Sequence, residues 1–475
     1  MNTAWTIAGS NSSGFSGIQA DLLVFKNFNV HGCSVITAIT AQNTESVNSI
    51  YHLPNEQIIA QLNALTSPHA IKIGMLGFDA QIFLLKDFFS KHSYQIILDP
   101  VLFSTSGYAL FKGDILHYIS CLKQLFPYIT LITPNIFEAE CLTQQKIHTF
   151  YDIKKAAQIL LSMGVKNVLI KGGHFNEKDF SQDLWTDGNE YLWLATKRHQ
   201  VESIRGTGCT FSSAITACLA NQYCIKDALV IAKMYISQYI RTHRFQYHSW
   251  AMEQPDLPCV SFSPIENESP AFPACGGPIG LYPIVDSIKW LELLLPLGIR
   301  TIQLRIKNKS GLALESEIAK CICFAKKFNT QLFINDYWQL AIKYQAYGVH
   351  LGQEDLEYAD INAIYHAGLR LGISTHSYFE IARANLLKPS YIAFGPIFET
   401  NSKIMSFAPQ GLTQLKYWCQ LLDYPIVAIG GINKDTFLQV YDTGVDGIAM
   451  ISAITHAKNP IESAKEFLTI LRTTN

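Results

Sequence analysis

Short apolar runs recur about every twenty residues in the second half of the chain, and each ends in a polar or glycine-rich tip. Eight such runs lie between residues 280 and 452: GLYPIVD, TIQLRIK, LFIND, GVHLGQ, LRLGIST, YIAFGP, IVAIGG and GIAMIS. Helix-like segments separate most of them, and eight strand-plus-helix units in a row predict a closed parallel (β/α)8 barrel. Because the active site of such a barrel forms at the carboxyl ends of its strands, the polar tips are candidate site residues.

The first half of the chain also alternates strand-like and helix-like segments. Its predicted strands are nearly continuous in apolar residues, which is typical of strands covered on both faces. They read TAWTIAG, SVITAITAQ, AIKIGML, QIILDPV, LITPN and NVLIKGG. We expect helices between them at residues 17–28, 57–65, 80–90, 152–163 and 210–220. This pattern predicts an open α/β sheet with helices on both faces.

A proline-rich stretch separates the two patterns. Six prolines fall between Pro255 and Pro278, and this density is incompatible with helix. We therefore predict a first domain at residues 1–249, a linker at 250–278 and a second domain at 279–475. The length of 475 residues also favours more than one domain.

Composition narrows the class of protein. Hydrophobic residues make up 48% of the chain and charged residues 16%, which favours well-filled interiors over disorder. The net charge is −1 with no basic or acidic block, so neither a nucleic acid nor a membrane is expected as a partner. The 11 cysteines include no CxxC pair, and the N-terminus lacks a secretory pattern. These features predict a cytoplasmic protein that acts on small molecules, and they are compatible with a homo-oligomer.

A glycine-flanked turn, Arg205–Thr210, precedes the helical run FSSAITACLANQ. Such a turn presents backbone N–H groups and the positive end of a helix dipole, which can hold phosphate charge during phosphoryl transfer. A plain helix cap is the alternative. Cys209 lies at the helix start, where a thiol pKa falls and the thiolate can accept a proton from an attacking hydroxyl. The alternative for Cys209 is a small buried hydrophobic residue.

Three polar side chains alternate along the second predicted barrel strand. Gln303, Arg305 and Lys307 are two residues apart, so in a strand they share one face. At the carboxyl end of the strand they can hold a phosphate-rich ligand, with arginine as a bidentate fork and lysine as a point charge. The alternative is an edge strand with one solvated face, which an eight-strand barrel disfavours.

Acidic and glycine-rich tips follow other barrel strands. Asp336 and Asp355 follow neighbouring strands, so their carboxylates can converge on one magnesium ion, although each alone is also a common helix cap. Gly431 and Ser452 follow the last two strands, where such barrels usually bind phosphate. Hydroxyls and a lysine after Gly395 suit a second anion.

Taken together, the motifs of the first half resemble those of the hydroxymethylpyrimidine kinase/phosphomethylpyrimidine kinase branch of the ribokinase superfamily. The resemblance covers about residues 4–245 and rests on TIAGSNSSGFSGIQADL, SVITAITAQNT, IKIGML, ILDPV, ITPNIFEAE, LIKGGH and GTGCTFSSAI. It implies a ribokinase-like three-layer α/β/α domain. It also implies ATP-dependent phosphorylation, with Mg2+, of 4-amino-5-hydroxymethyl-2-methylpyrimidine and then of its monophosphate.

The same resemblance implies roles for individual residues of the first half. The aminopyrimidine would be bound by Gly9, Asp21, Gln42 and Met75. The ATP phosphates would be bound by Asn135, Lys171, Gly206, Thr207 and Gly208, with Cys209 as the base and Glu138 and Glu140 near magnesium and nucleotide. The chain departs from the family at four positions, which puts substrate fit in question: Asn11 replaces Asp, Phe15 and Ser16 replace a Gly-Ala pair, and Arg205 replaces His.

The second half resembles thiamine-phosphate synthase over about residues 280–456, through YPIVD, QLRIK, FINDYWQLAIKYQAYGVHLGQEDL, LGISTHS, YIAFGPIFET, AIGGI and GVDGIAMISAI. The resemblance implies that a TIM barrel joins the pyrimidine diphosphate to 4-methyl-5-(2-phosphoethyl)thiazole, giving thiamine phosphate and diphosphate. Asp336 and Asp355 would hold Mg2+, with Ser374 beside the reacting centre. The pyrimidine diphosphate would be bound by Gln303, Arg305, Lys307, Asn335 and Lys403, and the thiazole phosphate by Thr400, Ser402, Gly431 and Ser452.

Two alternatives stay open for the first half. A pyridoxal-type kinase shares the same scaffold and would differ in the vitamer that it phosphorylates. A non-catalytic pyrimidine-binding regulatory module belongs to a different class, and the altered loop at residues 11–16 would favour it.

Overall fold

The computed structural model describes residues 1–43, 46–104, 107–173, 175, 179–199, 206–242, 256–399 and 408–473. Within these ranges the chain forms two compact units, Met1–Asn267 and Glu268–Asn475. Among the helices in these ranges, none has both the length and the apolar character that crossing a membrane requires.

The first unit is built on a ten-stranded mixed sheet. Its strands are β1 (Thr3–Asn11), β2 (His31–Gln42), β3 (Val47–His52), β4 (Ala70–Ile73), β5 (Ile96–Leu98), β6 (Leu131–Ile132), β7 (Val168–Ile170), β8 (Phe180–Thr186), β9 (Tyr191–Lys197) and β10 (Cys259–Ser261). Their order across the sheet is β10-β9-β8-β7-β6-β5-β4-β1-β2-β3. The strands from β7 to β2 are parallel, and antiparallel strands complete both edges.

Eight α-helices accompany this sheet in the described residues. They are α1 (Gly17–Asn27), α2 (Asn55–Asn63), α3 (Asp79–Phe89), α4 (Ile115–Leu122), α5 (Ile136–Thr143), α6 (Phe150–Ser162), α7 (Thr207–Ala220) and α8 (Ile225–Thr242). All residues of β4, β5, β6 and β7 are buried, which explains their nearly continuous apolar sequences. The predicted ribokinase-like α/β/α class is confirmed.

Parts of the predicted linker that the structure describes, within residues 256–278, pack on the unit nearest to them. Strand β10 pairs with β9, and the backbone of Ile265 exchanges two hydrogen bonds of 2.8 and 2.9 Å with the Gln182 side chain. In the second unit, the carbonyl of Pro273 accepts a hydrogen bond of 2.7 Å from Ser390 Oγ. Within 256–278, these contacts tie parts of the predicted linker to the two units, and its predicted bounds of 250–278 stay a prediction.

The second unit contains a closed barrel of eight parallel strands, which confirms the predicted TIM barrel. The strands are β11 (Gly280–Val285), β12 (Thr301–Leu304), β13 (Gln331–Asn335), β14 (Gly348–Leu351), β15 (Arg370–Thr375), β16 (Tyr391–Phe394), β17 (Ile426–Ile429) and β18 (Gly447–Met450). The helices are α9 (Ile288–Leu294), α10 (Gly311–Lys327), α11 (Trp338–Lys343), α12 (Ile361–His366), α13 (Tyr378–Leu387), α14 (Gly411–Leu421), α15 (Lys434–Tyr441), α16 (Ser452–Thr455) and α17 (Pro460–Thr473).

Strand β12 is shorter than the alternating pattern predicts. It ends at Leu304, so Arg305 and Lys307 lie in the loop that follows rather than in the strand. The backbone N–H of Arg305 still donates a hydrogen bond of 2.7 Å to the carbonyl of Val285. This bond holds the start of the basic loop at the mouth of the barrel.

Candidate active sites

A cavity of about 670 Å3 opens at the carboxyl ends of the parallel strands in the first unit. Most of the residues predicted for this half line it: Gly9, Gln42, Met75, Asn135, Glu138, Lys171, Gly206, Thr207, Gly208 and Cys209. The two exceptions are Asp21 and Glu140. The sheet topology therefore brings together motifs that are as far as 200 residues apart in the chain.

Asp21 lies beneath the cavity rather than in its wall. Its side chain is fully buried and accepts hydrogen bonds from Lys72 Nζ at 2.6 Å and Thr6 Oγ1 at 2.6 Å. A buried carboxylate requires such partners. The predicted contact between Asp21 and the aminopyrimidine is therefore corrected: Lys72, which Asp21 holds in place, is the residue that reaches the cavity.

Lys72 adds a positive charge to the cavity. Burial lowers the pKa of its ammonium group, but the Asp21 carboxylate and other nearby anionic groups outweigh burial and raise the pKa above its ordinary value. Sequence reasoning missed Lys72 because a lysine within an apolar strand gives no local sign of its partner. The available signal for a site residue was the position of Lys72 itself, the one polar residue in the apolar run AIKIG.

A second ion pair lies in the wall of the cavity. Lys171 Nζ donates a hydrogen bond of 2.7 Å to Asp99 Oδ1, and Ser212 Oγ donates one of 3.2 Å to Asp99 Oδ2. Burial raises the pKa of Asp99, but the charges of Lys171 and Lys72 outweigh burial and lower it. Asp99 is thus a carboxylate that holds Lys171, a predicted phosphate ligand, in place.

Glu138 lies at the cavity and Glu140 faces away from it. Glu138 and Asn135 form a capping box at the start of α5, with hydrogen bonds of 2.9 Å in both directions. Burial raises the pKa of Glu138 to about 7, against the opposing charge of Lys171. Glu140 instead pairs with Lys146 at 2.9 Å, so its predicted place near magnesium and nucleotide is corrected.

The predicted phosphate turn requires glycine. Gly206 has a φ of +74°, and a Cβ there would collide with the carbonyl oxygen of Phe15. Helix α7 begins at the next residue, so its first N–H groups face the cavity. Phe15, one of the departures from the family pattern, therefore lies directly against this turn.

The thiol of Cys209 does not have the predicted low pKa. Burial raises the pKa, the charge of Lys72 lowers it, and the carboxylates of Asp99 and Asp21 raise it further. The net shift is upward. The prediction from the helix start alone was wrong because it omitted burial and two nearby anions.

Two carboxyl groups meet at the mouth of the barrel in the second unit. The carboxyls of Asp336 and Asp355 lie close enough to interact, and Asp355 Oδ2 accepts a hydrogen bond of 2.9 Å from the Gly352 N–H. Burial and the charge of Asp336 raise the pKa of Asp355. Lys307 Nζ contacts Asp336 Oδ2 at 2.5 Å. Paired carboxylate oxygens beside a basic loop fit a magnesium ion that also binds phosphate oxygens.

A chain of hydrogen bonds crosses the barrel interior and joins two predicted site residues. It runs from Gln303 Nε2 to Tyr282 Oη (3.5 Å), to Tyr391 Oη (2.7 Å), to His350 Nδ1 (2.7 Å), and from His350 Nε2 to Ser374 Oγ (2.8 Å). Burial lowers the pKa of His350 to about 4, so its imidazole is neutral at neutral pH. The tyrosines and His350 were not predicted, and inward-facing polar residues in barrel strands were the available signal.

The hydroxyl of Tyr391 is the middle link of this hydrogen-bond chain, and its removal should lower the stability of the second unit. In the Tyr391→Phe variant, His350 Nδ1 and Tyr282 Oη lose a buried partner. We expect the second unit to lose about 1–3 kcal/mol of stability, with a lower denaturant midpoint. Tyr358→Phe is the control because that side chain is 83% exposed. Equal midpoints for the two variants would contradict the prediction.

The other predicted barrel residues that the structure describes lie at strand ends. Asn335 is buried at the end of β13, and Ser452 begins α16 just after β18. Gly431 follows β17 with a φ of +69°, and a Cβ there would collide with the carbonyl oxygen of Glu399. The predicted residues Thr400, Ser402 and Lys403 lie outside the described residues.

These arrangements define two classes of enzyme. In the first unit, a glycine turn at a helix start, two lysines and a buried glutamate around one cavity are features of a phosphoryl transferase. In the second, paired aspartates and a basic loop at the carboxyl end of a barrel are features of an enzyme that acts on phosphorylated substrates.

Comparisons with known proteins agree with both classes. The phosphomethylpyrimidine kinase family matches residues 11–253, and the thiamine monophosphate synthase family matches residues 281–454. The chain belongs to these two families, and it is a bifunctional transferase of thiamine biosynthesis. The first match favours a pyrimidine kinase over a pyridoxal-type kinase.

Individual relatives cover each half. The chain is 54% identical over 220 residues to thiamine-phosphate synthase from Salmonella typhimurium (strain LT2), which covers 46% of this chain and 97% of that protein. It is similar to a pyridoxal kinase from Staphylococcus aureus in complex with ADP, with 31% identity, a TM-score of 0.50, and coverage of 55% of this chain and 98% of that one. A phosphomethylpyrimidine kinase structure from Clostridium difficile is 38% identical, with a TM-score of 0.44 and coverage of 50% and 100%.

Proposed function

We propose that the cavity of the first unit phosphorylates 4-amino-5-hydroxymethyl-2-methylpyrimidine and then its monophosphate, using ATP. The barrel then joins the resulting diphosphate to 4-methyl-5-(2-phosphoethyl)thiazole. One observation carries this proposal: the motif residues of each family converge at one place in their own unit. Most of those of the first half line the cavity of the first unit, and Lys307, Asp336 and Asp355 come together at the mouth of the barrel.

In the first unit, the cationic groups hold the phosphates. Lys171 and the N–H groups at the start of α7 bind the ATP phosphates, and Asp99 keeps Lys171 in position. Magnesium would neutralise charge on the transferred phosphoryl group, and the buried carboxyl of Glu138 fits such an ion. Cys209 accepts the proton of the attacking hydroxyl, and the nearby charge of Lys72 favours its thiolate.

The proposed role of Cys209 predicts a pH dependence. Because its pKa is raised, the thiol form dominates at neutral pH and the base is scarce. The kcat/KM of the kinase should therefore rise by about tenfold per pH unit from neutral pH upwards and level off beyond the thiol pKa. The measurement is a pH–rate profile with the monophosphate as substrate. A flat profile over the alkaline range would exclude Cys209 as the base.

In the barrel, the protein accelerates the reaction by binding the substrates and stabilising the charge of the departing diphosphate, and not by proton transfer. Arg305 and Lys307 hold the departing diphosphate, and Asp336 and Asp355 would hold a magnesium ion that neutralises it. The neutral imidazole of His350 fixes the hydroxyl of Ser374 beside the reacting centre. This fits a dissociative reaction in which the thiazole nitrogen captures an electron-rich pyrimidine methylene cation. Because ATP is the co-substrate, we place the reaction sequence in the cytoplasm.

Both proposed reactions can be tested together in one incubation with the full chain. Incubation with the pyrimidine alcohol, the thiazole phosphate, ATP and magnesium should give thiamine phosphate, detected by mass. Omission of ATP should stop the reaction, and supplied pyrimidine diphosphate should restore it. Parallel assays with pyridoxal measure the alternative vitamer, and a higher kcat/KM for pyridoxal would contradict the proposed first step. Pyrimidine binding without ATP turnover would favour the regulatory alternative.

A further inference from the structure

Three metal-ligating side chains converge on the surface of the first unit, away from its cavity. Asp79 is the first residue of α3, and His117 and Cys121 lie one turn apart on α4. His117 Nε2 is 3.4 Å from Asp79 Oδ2 and 3.6 Å from Cys121 Sγ, and all three ligand atoms lie within 4.8 Å of one another. None of the three side chains lines the cavity.

The two separations measured from His117 Nε2 match those between the ligands of a tetrahedral zinc ion. Zn–N bonds of about 2.0–2.1 Å, Zn–S bonds of about 2.3 Å and Zn–O bonds of about 2.0–2.2 Å place N and S about 3.6 Å apart and N and O about 3.4 Å apart. The observed distances are 3.6 Å and 3.4 Å. An ion could therefore bind His117 with either partner with little movement, and the third pair already lies within 4.8 Å.

Hydrogen bonding within the cluster explains the geometry less well. One imidazole nitrogen, Nε2 of His117, faces both the thiol and the carboxylate, but it carries at most one proton to donate. Its distance of 3.4 Å to Asp79 Oδ2 is also long for a charged hydrogen bond. A metal ion would satisfy the nitrogen, the sulfur and the oxygen together.

We propose that Asp79, His117 and Cys121 bind one Zn2+ ion, with water as the fourth ligand. The nitrogen, thiolate and carboxylate set suits zinc, and the Cys121 thiol releases its proton to solvent as the sulfur–zinc bond forms. The ion joins the start of α3 to α4.

The joined helices support one wall of the cavity. Tyr118 Oη of α4 donates a hydrogen bond of 2.7 Å to the carbonyl of Leu76, and Gln81 Oε1 of α3 accepts one of 2.8 Å from the Gly77 N–H. Met75, in the same segment, lines the cavity. Zinc should therefore stabilise the segment that forms part of the proposed pyrimidine pocket, which makes the site structural rather than catalytic.

The test is zinc binding to the full chain after treatment with a chelator. Excess Mg2+ is kept present to occupy sites formed by oxygen ligands alone. Calorimetry should show one tight zinc site per chain, and zinc should raise the unfolding temperature of the first unit. Co2+, added in place of zinc, should give a thiolate-to-cobalt charge-transfer band.

Two variants make the assignment specific. His117→Ala removes a side chain that is 66% exposed, so folding should be unaffected. We expect at least about a hundredfold weaker zinc binding, since loss of even an outer-shell partner costs roughly 10–100-fold. Cys121→Ser should remove the cobalt band, whereas Cys323→Ser, at an exposed thiol of the second unit, should keep it. Unchanged zinc affinity in His117→Ala, or no cobalt band in the parent chain, would overturn the proposal.

Discussion

The Asp355→Asn variant is expected to form thiamine phosphate from supplied pyrimidine diphosphate about 10²–10³-fold more slowly than the parent chain. The substitution removes one of two carboxylates that meet at the mouth of the barrel. Without that charge, a magnesium ion is bound less tightly and the departing diphosphate is less well neutralised. Kinase turnover should not change, because Asp355 belongs to the second unit.

Asp360→Asn is the matched control for this variant. Asp360 is an exposed aspartate whose Oδ1 caps α12 through a hydrogen bond of 2.9 Å from Ala363, and asparagine can keep that cap. Both reactions should run at parental rates in the control. Full coupling activity in Asp355→Asn would remove Asp355 from the metal site, and equal loss of both activities would indicate misfolding.

The Cys209→Ala variant should lose about 10²–10⁴-fold in kinase turnover, the range for loss of a general base. Cys209 lines the cavity beside the proposed phosphate turn. The barrel reaction on supplied diphosphate should stay intact, and the alkaline rise in the kinase pH profile should disappear. Both activities are measured by product mass on the same preparation.

Cys218→Ala provides a control on the same helix. Cys218 is fully buried two and a half turns further along α7, and it does not line the cavity. It should keep its kinase activity if the protein folds. Parental kinase turnover in Cys209→Ala would remove that thiol from the mechanism, and equal losses in the two variants would point to packing of α7 instead.

The sequence predicted the barrel well because one physical rule governs all its strands. Each strand is short and buried, so its apolar run and its polar tip are both visible along the chain. The parallel strands of the first unit were predicted for the same reason. Two of the antiparallel strands were not: β3 is largely exposed and polar, and β8 buries Gln182 and Asp183, so neither gives a continuous apolar run.

The sites were predictable where topology alone positions a residue. Strand ends and helix starts meet at one edge of a parallel sheet, which brought Lys171 and Gly206 to the same cavity. Partner choice was not predictable, because the pairing of Asp21 with Lys72 depends on the side-by-side packing of β1, β4 and α1. The raised pKa of Cys209 depends on the same three-dimensional arrangement of charges.

The central claim of the proposed function is that each unit has its own active site, so that the first unit of one molecule can supply pyrimidine diphosphate to the second unit of another. The most direct measurement mixes equal amounts of Cys209→Ala and Asp355→Asn and supplies the pyrimidine alcohol, the thiazole phosphate, ATP and magnesium. Each variant alone should form little thiamine phosphate, and the mixture should form it at a substantial fraction of the parental rate. A mixture no more active than either variant alone, with both proteins folded, would contradict the claim.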